Sequence, residues 1–158
     1  MILYHGSNCD IAKIDLAMCK PFKDFGQAFY LTTILTQARE MARKVADRFG
    51  GESVVNAFEF EDGNLSGLNV KKFDQPDREW AEFVMANRSR NSTRPADEFD
   101  IIVGPIANDD IATLFRTFAI GIITIDELVQ GMKSKKLNTQ YAFRTERAVS
   151  FLKKRSSV

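Results

Sequence analysis

The chain has 158 residues, 44% of them hydrophobic and 27% charged, and this composition excludes a disordered or fibrous protein. A chain of this length buries enough apolar surface for one stable domain, so we expect a single domain over residues 1–158. Its 22 basic and 21 acidic residues give a net charge of +1, which argues against nucleic-acid binding through overall charge.

The first elements predicted along the chain are a short strand and a loop. Ile2 to His5 is an apolar run that fits the opening strand of a sheet, and a turn-forming Gly-Ser-Asn sequence follows it. Residues 9–23 alternate weakly and contain a proline, so they predict a loop or a short strand. The aromatic segment 24–32 comes next, with Phe29 and Tyr30 on a predicted strand.

The clearest helix in the sequence follows this aromatic segment. Either Thr33 or Thr36 is placed to cap a helix that continues to about Phe49, where two glycines provide a stop. Apolar residues recur along this segment at helical spacing and should face the core. They are Ala38, Met41, Ala42, Val45 and Phe49.

The middle of the sequence predicts two strands, a helix and a loop. Residues 53–61 alternate between two faces, as a strand requires, and the apolar residues between Leu68 and Phe73 suggest another short strand. The segment from Asp77 to Asn87 predicts a helix, whereas residues 88–97 are polar and predict a loop. The helical residues expected to point inward are Trp80, Phe83 and Val84.

The next segment predicts two further strands and two helices. Phe99 to Val103 is a hydrophobic strand ending at a Gly-Pro pair, and Asn108 begins a predicted helix through Phe118. Residues 122–125 form a β-branched run that predicts a short buried strand. Asp126 can then cap a helix to about Met132.

The last predicted strand runs from Gln140 to Thr145, and a terminal turn or helix follows it to Lys154. Strands and helices thus mix without strict alternation, which predicts an α+β architecture. Residues 63–68 lack the glycine spacing of a dinucleotide-binding fingerprint, so a doubly wound nucleotide fold is rejected.

Cysteine usage and hydropathy predict a cytoplasmic protein. Cys9 and Cys19 follow no signal-peptide pattern, and the sequence contains no apolar stretch of membrane-spanning length. Free buried thiols are the expected state in a reducing compartment. Two cysteines and one distant histidine do not make a zinc site, and we expect no metal.

The chain's only histidine, His5, is followed by Gly6 and Ser7 at the end of the first predicted strand. One imidazole therefore lies beside an accessible backbone, which suits ligand binding. The alternative for an isolated histidine is a partly buried ring hydrogen-bonded to the backbone.

The second candidate segment places three aromatic rings around Gly26. Phe25, Phe29 and Tyr30 can form the floor for a flat ligand ring, although Phe29 is more typical of a core residue. The Tyr30 ring can stack on a planar base while its hydroxyl stays in solvent. Gly26 permits close approach of a ligand, and Asp24 can cap or orient the loop.

These two segments, Leu3-Tyr4-His5-Gly6-Ser7 and residues 24–32, resemble the first two motifs of ADP-ribosyltransferases of the His-Tyr type. The resemblance is closest to a bacterial family of formerly unknown function with a Tyr-His-Gly-Ser start and an Asp-Phe-Gly-x-x-Phe-Tyr-x-Thr motif, and it covers nearly the whole chain. Further matches are Gln37-Ala38 with Ala42, residues 80–88, residues 100–105 with Asp109-Asp110, and residues 140–148.

The resemblance implies a fold, an activity and partners. The implied fold is a split mixed or antiparallel sheet flanked by helices. The implied activity is mono-ADP-ribosyl transfer from NAD, used as a co-substrate, by the toxin of a bacterial toxin-antitoxin or phage-defence module. A cognate antitoxin or immunity protein and a macromolecular acceptor, protein or nucleic acid, are then expected. Residues 88–97 are the candidate loop for acceptor contact.

By position, the resemblance also implies roles for individual residues. His5 would hydrogen-bond the ribose on the nicotinamide side, the Gly6 backbone would hold the carboxamide, and Tyr30 would stack on nicotinamide. The remaining residues expected beside NAD are Ser7, Phe25 and Gly26.

The third motif departs from the family pattern. A glutamate usually opens a late strand there, before an aromatic residue, whereas this chain has Gln140 followed by Tyr141. Cleavage of the nicotinamide bond develops positive charge on the ribose, which a carboxylate stabilises. A glutamine amide accepts a hydrogen bond but supplies neither charge nor a general base. If Gln140 fills this position, replacing it with glutamate should preserve or raise NAD cleavage. If Gln140 is instead a structural residue of the core, the same replacement should lower stability by adding a buried charge.

The glutamine leaves three options for activity: slow transfer, an acceptor that is already nucleophilic, or a carboxylate from elsewhere. Glu146 is the first substitute, although it also fits the first turn of a helix after Thr145. The other candidate carboxylates are Glu79, Glu82, Asp97 and Asp100. Two further functions stay open: NAD hydrolysis with water as acceptor, and a non-catalytic module that binds NAD, ADP-ribose or a protein.

Overall fold

The structure is a computed structural model that describes residues 1–63, 65–92 and 96–158. The predicted loop 88–97 and the segment 63–68 therefore lie partly outside the described residues. Within the described residues the architecture is α+β, as predicted, with one seven-stranded sheet and five α-helices. The strands are β1 (Ile2–Ser7), β2 (Phe29–Thr32), β3 (Val54–Glu59), β4 (Val70–Lys72), β5 (Ile101–Pro105), β6 (Thr139–Phe143) and β7 (Lys153–Lys154). The helices are α1 (Leu35–Phe49), α2 (Arg78–Arg88), α3 (Asp109–Ala119), α4 (Ile125–Lys133) and α5 (Glu146–Val149).

The sheet has the strand order β4-β5-β6-β2-β1-β3-β7. β4 and β5 pair in parallel, and every other neighbouring pair is antiparallel. β1 pairs with β3 along its whole length, from Ile2 opposite Glu59 to Ser7 opposite Val54. Its pairing with β2 is limited to Tyr4 opposite Thr32 in the described residues. The pairing between β1 and β2 is therefore the shortest in the sheet.

Two apolar clusters cover opposite faces of the sheet because side chains alternate along each strand. Ile102 and Ala142 join the first cluster, with α2, α3 and α4, whereas the adjacent residues Ile101 and Phe143 join the second. The fully buried Trp80 anchors the first cluster. The second cluster includes Leu3, Phe29, Leu31, Phe58 and Phe60.

The starts of α2 and α3 agree with the sequence prediction, and both helices are capped by a side chain. The Asp77 carboxylate accepts the Trp80 N–H at 2.9 Å, and the Asn108 side-chain oxygen accepts the Ile111 N–H at 3.1 Å. Each bond satisfies a backbone donor that the first helical turn leaves free. The three residues predicted to face inward from α2, namely Trp80, Phe83 and Val84, are buried.

The predicted cap and inner face of α1 need correction. Its N-cap is Ile34, which makes no side-chain capping bond, and Thr36 lies inside the helix. Ala38 and Ala42 are buried as predicted, but Met41 and Phe49 are 50% and 56% exposed. The small alanines let the helix approach β1 closely, so the larger apolar side chains are left on its flanks.

The strand predicted at residues 122–125 does not form. Ile122 is 69% exposed, and Thr124 is the N-cap of α4 in a capping box with Glu127. Asp126 therefore lies in the first helical turn and is not the cap. Two reciprocal side-chain bonds to the backbone prevail here over the β-branched composition.

Candidate functional site

His5 lies on β1 next to the single pair that joins β1 to β2. Its Nδ1 donates a hydrogen bond to the Tyr30 carbonyl at 2.8 Å, and its ring stacks on Phe29 with centroids 4.3 Å apart. Because Nδ1 carries the proton, Nε2 is an acceptor in the neutral ring. Burial lowers the pKa of His5, although the Tyr30 hydrogen bond opposes this shift and the charge of Lys154 reinforces it. The imidazole is thus a half-buried neutral acceptor at neutral pH.

Tyr30 is fixed by its hydroxyl and not by a ligand-facing ring. The hydroxyl donates to the Gly26 carbonyl at 2.7 Å and accepts the Phe25 N–H at 2.9 Å. Its ring packs against the first apolar cluster, and burial raises its pKa far above the usual range. The expectation of a solvated hydroxyl is therefore wrong, because the turn 24–26 needs that hydroxyl as its bonding partner.

Gly6 is a glycine because α1 lies directly on it. A Cβ at this position would overlap the Ala38 carbonyl oxygen and lie 2.6 Å from the Ala42 amide nitrogen. This contact gives the His-Gly sequence a packing reason in addition to the predicted backbone contact with NAD. The predicted role of Gly6 in holding a carboxamide stays a prediction.

The other residues expected beside NAD lie in different environments. Phe25 has no exposed surface, since its ring packs on Phe73 and Phe83 in the first cluster. Ser7 is buried, with its hydroxyl 3.8 Å from the Cys9 sulfur. Gly26 has φ +78°, which suits glycine at this turn. In this structure the Phe25 ring therefore belongs to the core and does not face a ligand surface.

Gln140 belongs to a buried polar network centred on Asp24. Its Nε2 donates to Asp24 Oδ2 at 2.8 Å and, more weakly, to the Pro105 carbonyl at 3.4 Å. Arg88 Nη2 lies 2.6 Å from Asp24 Oδ1, and the Ala107 N–H donates to Oδ2 at 2.9 Å. The carboxylate is thus compensated by one cation and two neutral donors.

The carboxylates proposed as substitutes for a third-motif glutamate have other partners. Asp97 pairs with Arg144, while Glu79 and Glu82 pair with Lys71 and Arg78. Glu146 is the first residue of α5 after the Thr145 cap, as its alternative interpretation predicted. Three of these four carboxylates are therefore in ion pairs, and the fourth, Glu146, is at the start of a helix.

Asp100, the last of the candidate carboxylates, is a buried residue with three hydrogen-bond partners. It accepts the Asn69 N–H at 2.8 Å, the Thr145 hydroxyl at 2.6 Å and an Arg147 N–H at 2.7 Å. Burial by itself raises the pKa of Asp100, but these three hydrogen bonds outweigh it and lower the pKa. Asp100 therefore ties β5 to the start of α5.

The fold brings some of the predicted site residues together and separates others. Tyr30 and Gln140 lie on adjacent strands, with Thr32 opposite Gln140. His5 reaches Tyr30 only through the backbone, because its ring joins Phe29 in the second cluster while the Tyr30 ring joins the first. The structure thus contains one acceptor on β1, beside β2, and a separate buried network around Gln140.

Sequence reasoning missed Asp24 as the partner of Gln140 and Arg88 as the partner of Asp24. Asp24 and Gln140 are 116 positions apart, so no local pattern connects them. The available signal was an acidic residue inside an aromatic segment that otherwise predicts burial. Arg88, at the last turn of α2, is 64 positions from Asp24.

Two surface cavities lie away from these residues. One of about 80 Å³ is lined by residues that include Phe60, Val103 and Tyr141, and one of about 300 Å³ by Glu59, Phe151 and others. Neither is lined by His5 or Gln140. No group of three or more potential metal ligands occurs in the described residues, and no helix among them is long and apolar enough to cross a membrane.

Comparison with known proteins identifies one family. A family model described as "Protein of unknown function (DUF3990)" matches residues 1–154. No curated protein and no solved structure matches the chain.

Proposed function

The chain belongs to the family described as "Protein of unknown function (DUF3990)", and we propose that it is an NAD-dependent mono-ADP-ribosyltransferase. The proposed setting is a bacterial toxin-antitoxin or phage-defence module in the cytoplasm. The acceptor is a macromolecule, and a cognate antitoxin or immunity protein neutralises the activity.

One observation carries this proposal: the three motif residues lie on three neighbouring central strands, two of which, β1 and β2, pair at a single position. His5 is on β1, Tyr30 on β2 and Gln140 on β6, and β2 lies between the other two strands. The resemblance to ADP-ribosyltransferases implies a split sheet. The short pairing of β1 with β2 supports that interpretation, since its single pair, Tyr4 with Thr32, is next to His5.

The proposed reaction breaks the bond between the ribose carbon and the nicotinamide nitrogen of NAD. The bonding electron pair leaves with nicotinamide, which becomes neutral, and an acceptor nucleophile forms the new bond to the same carbon and releases its proton to solvent. Positive charge develops on the ribose in the transition state. His5 Nε2 is a hydrogen-bond acceptor, which suits a ribose hydroxyl and would orient the sugar. Gln140 Oε1 is a second acceptor of the same kind, on a side chain that starts from the opposite face of the sheet.

The test is incubation of the purified protein with NAD labelled in its adenylate part and with a host lysate. Label in a protein, RNA or DNA fraction is expected, and its absence in all three contradicts transfer. Release of nicotinamide without labelled macromolecule would indicate a glycohydrolase. Calorimetric binding of NAD without any turnover would indicate a binding module.

A variant pair ties the activity to the proposed site. His5→Ala removes the ribose-orienting acceptor and should lower turnover about a hundredfold, since misplacement of a reacting group has costs of this size. Ile122→Ala, at a 69% exposed turn, is the matched control and should leave turnover unchanged. Equal turnover of the two variants would contradict the role of His5.

A further inference from the structure

We propose that Asp24 is a positioning residue that acts through Gln140 and supplies the negative charge that the third motif of this chain lacks. This inference rests on the proposed function. In it, the carboxylate stays on the loop before β2, and the glutamine amide on β6 transmits its effect to the ribose.

The orientation of the Gln140 amide is fixed by its two neighbours. Asp24 Oδ2 and the Pro105 carbonyl are both acceptors, so the amide nitrogen must face them. Oε1 then points away and accepts no hydrogen bond from a described residue. Every buried side-chain nitrogen or oxygen in the described residues has a hydrogen-bond partner. Because Oε1 has none, it is accessible to solvent, although Gln140 as a whole is only 8% exposed.

Asp24 is held rigidly enough to set this orientation. Its two oxygens accept hydrogen bonds from Arg88 on α2, from the Ala107 backbone after β5 and from Gln140 on β6. Three separate parts of the fold thus converge on a carboxylate whose side chain is 9% exposed. A charge fixed in this way needs no reorganisation when charge develops elsewhere, which is how proteins stabilise transition states.

The amide can transmit the charge because hydrogen bonds polarise one another. An amide that donates to a carboxylate has a more electron-rich carbonyl oxygen, and that oxygen is the one available to a ribose hydroxyl. In this arrangement only the Gln140 side chain separates the Asp24 carboxylate from the ribose on which positive charge develops. A glutamate at position 140 would instead place a second carboxylate beside Asp24, and one of the two would have to take up a proton. This proposal therefore predicts lower NAD cleavage in Gln140→Glu, the opposite of the expectation from the third motif.

The experiment is a double-mutant cycle of the full chain: wild type, Asp24→Asn, Gln140→Glu, and the double variant. NAD consumption is measured as separate kcat and KM values, and thermal melting is recorded for each protein. Each single change should lower kcat about a hundredfold at pH 8 and change KM by less than about threefold. The double variant exchanges the carboxylate and the amide, so its kcat should return to within about tenfold of wild type.

The pH profile of Gln140→Glu tests the same geometry without the Asp24 substitution, in case Asp24→Asn does not fold. Protonation of one carboxylate restores a hydrogen-bond donor between the side chains at positions 24 and 140. The kcat of this variant should therefore rise as the pH falls from 8 to 6, whereas the kcat of wild type should not. The other ionisable groups facing Asp24 are Arg88 on α2 and the Tyr30 hydroxyl on β2, whose pKa is raised by burial and then by Asp24. The raised pKa keeps the Tyr30 hydroxyl protonated over this range.

Several outcomes overturn the inference. Unchanged kcat in Asp24→Asn would do so, as would a double variant no faster than the slower single variant, or a Gln140→Glu profile parallel to wild type. Recovery of the melting temperature without recovery of kcat would assign the pair a structural role only. Absence of NAD consumption by wild type would refute the proposed function itself, and the inference with it.

Discussion

Replacement of Tyr30 by phenylalanine should destabilise the protein even though the aromatic ring is kept. The Tyr30 hydroxyl is the partner of two backbone groups, the Gly26 carbonyl at 2.7 Å and the Phe25 N–H at 2.9 Å. Phenylalanine leaves both groups without that partner in a turn whose Phe25 ring is fully buried. An unsatisfied donor or acceptor in such a place costs free energy because water cannot replace the lost bond fully.

The expected size of this effect follows from the two bonds. Each intramolecular hydrogen bond contributes about 1 kcal/mol net, so Tyr30→Phe should lower the free energy of unfolding by about 2 kcal/mol. For a domain of this size that corresponds to a melting temperature lower by about 4 to 8 °C. Urea unfolding and thermal melting of the purified variants measure both quantities.

Tyr141→Phe is the matched control on the neighbouring strand. Tyr141 is half-buried on β6 and opposite Leu31 of β2, and its hydroxyl makes no hydrogen bond to a described residue. Its replacement should change the free energy of unfolding by less than about 0.5 kcal/mol. If the two variants unfold at the same urea concentration, the Tyr30 hydroxyl does not hold the turn and the reasoning fails.

Three further predictions concern packing and ionisation. Gly6→Ala should lower the free energy of unfolding by about 3 kcal/mol, because the new methyl group meets backbone atoms of α1, including the Ala38 oxygen, that cannot rotate away. In chemical denaturation the control Gly63→Ala, whose new methyl group meets nothing within 4 Å, should be close to wild type. Similar losses in the two variants would refute the contact. The lowered pKa of His5 means that the folded state resists protonation, so the stability of wild type should fall as the pH drops below 6.5. Urea unfolding of His5→Gln at several pH values should lack this pH dependence of stability. Parallel profiles of the two proteins would contradict the role of His5. Asp100→Asn should lower the free energy of unfolding by about 2 to 4 kcal/mol, because it loses hydrogen bonds made by a charged carboxylate. The lowered pKa of Asp100 means that this contribution is present above pH 3.8 and is lost as the pH falls further. Acid-unfolding curves of wild type and the variant test both expectations.

The local elements of this protein were largely readable from the sequence. α2 and α3 begin at Asp77 and Asn108 as predicted, because a capping bond joins residues three positions apart and needs no distant partner. The strand predicted at 122–125 failed for a related reason. Thr124 and Glu127 form an equally local capping box, and that signal outweighs β-branched composition.

The candidate site was readable only in part. The resemblance identified His5, Tyr30 and Gln140, but the bonding of each side chain depends on which strands become neighbours. The tautomer of His5 follows from the Tyr30 carbonyl on β2, and the fixed Tyr30 hydroxyl follows from the turn 24–26. Neither contact leaves a periodic signal in the sequence.

The sequence by itself therefore determined the α+β class, most helix starts and the order of the motif residues, because these depend on interactions within a few positions. Tertiary structure alone decided that β6 lies between β5 and β2, and this placement brings Gln140 to Asp24 across 116 positions. Strand order is set by the burial of both sheet faces over the whole chain, so the partner of a polar side chain on a central strand is a property of the complete fold.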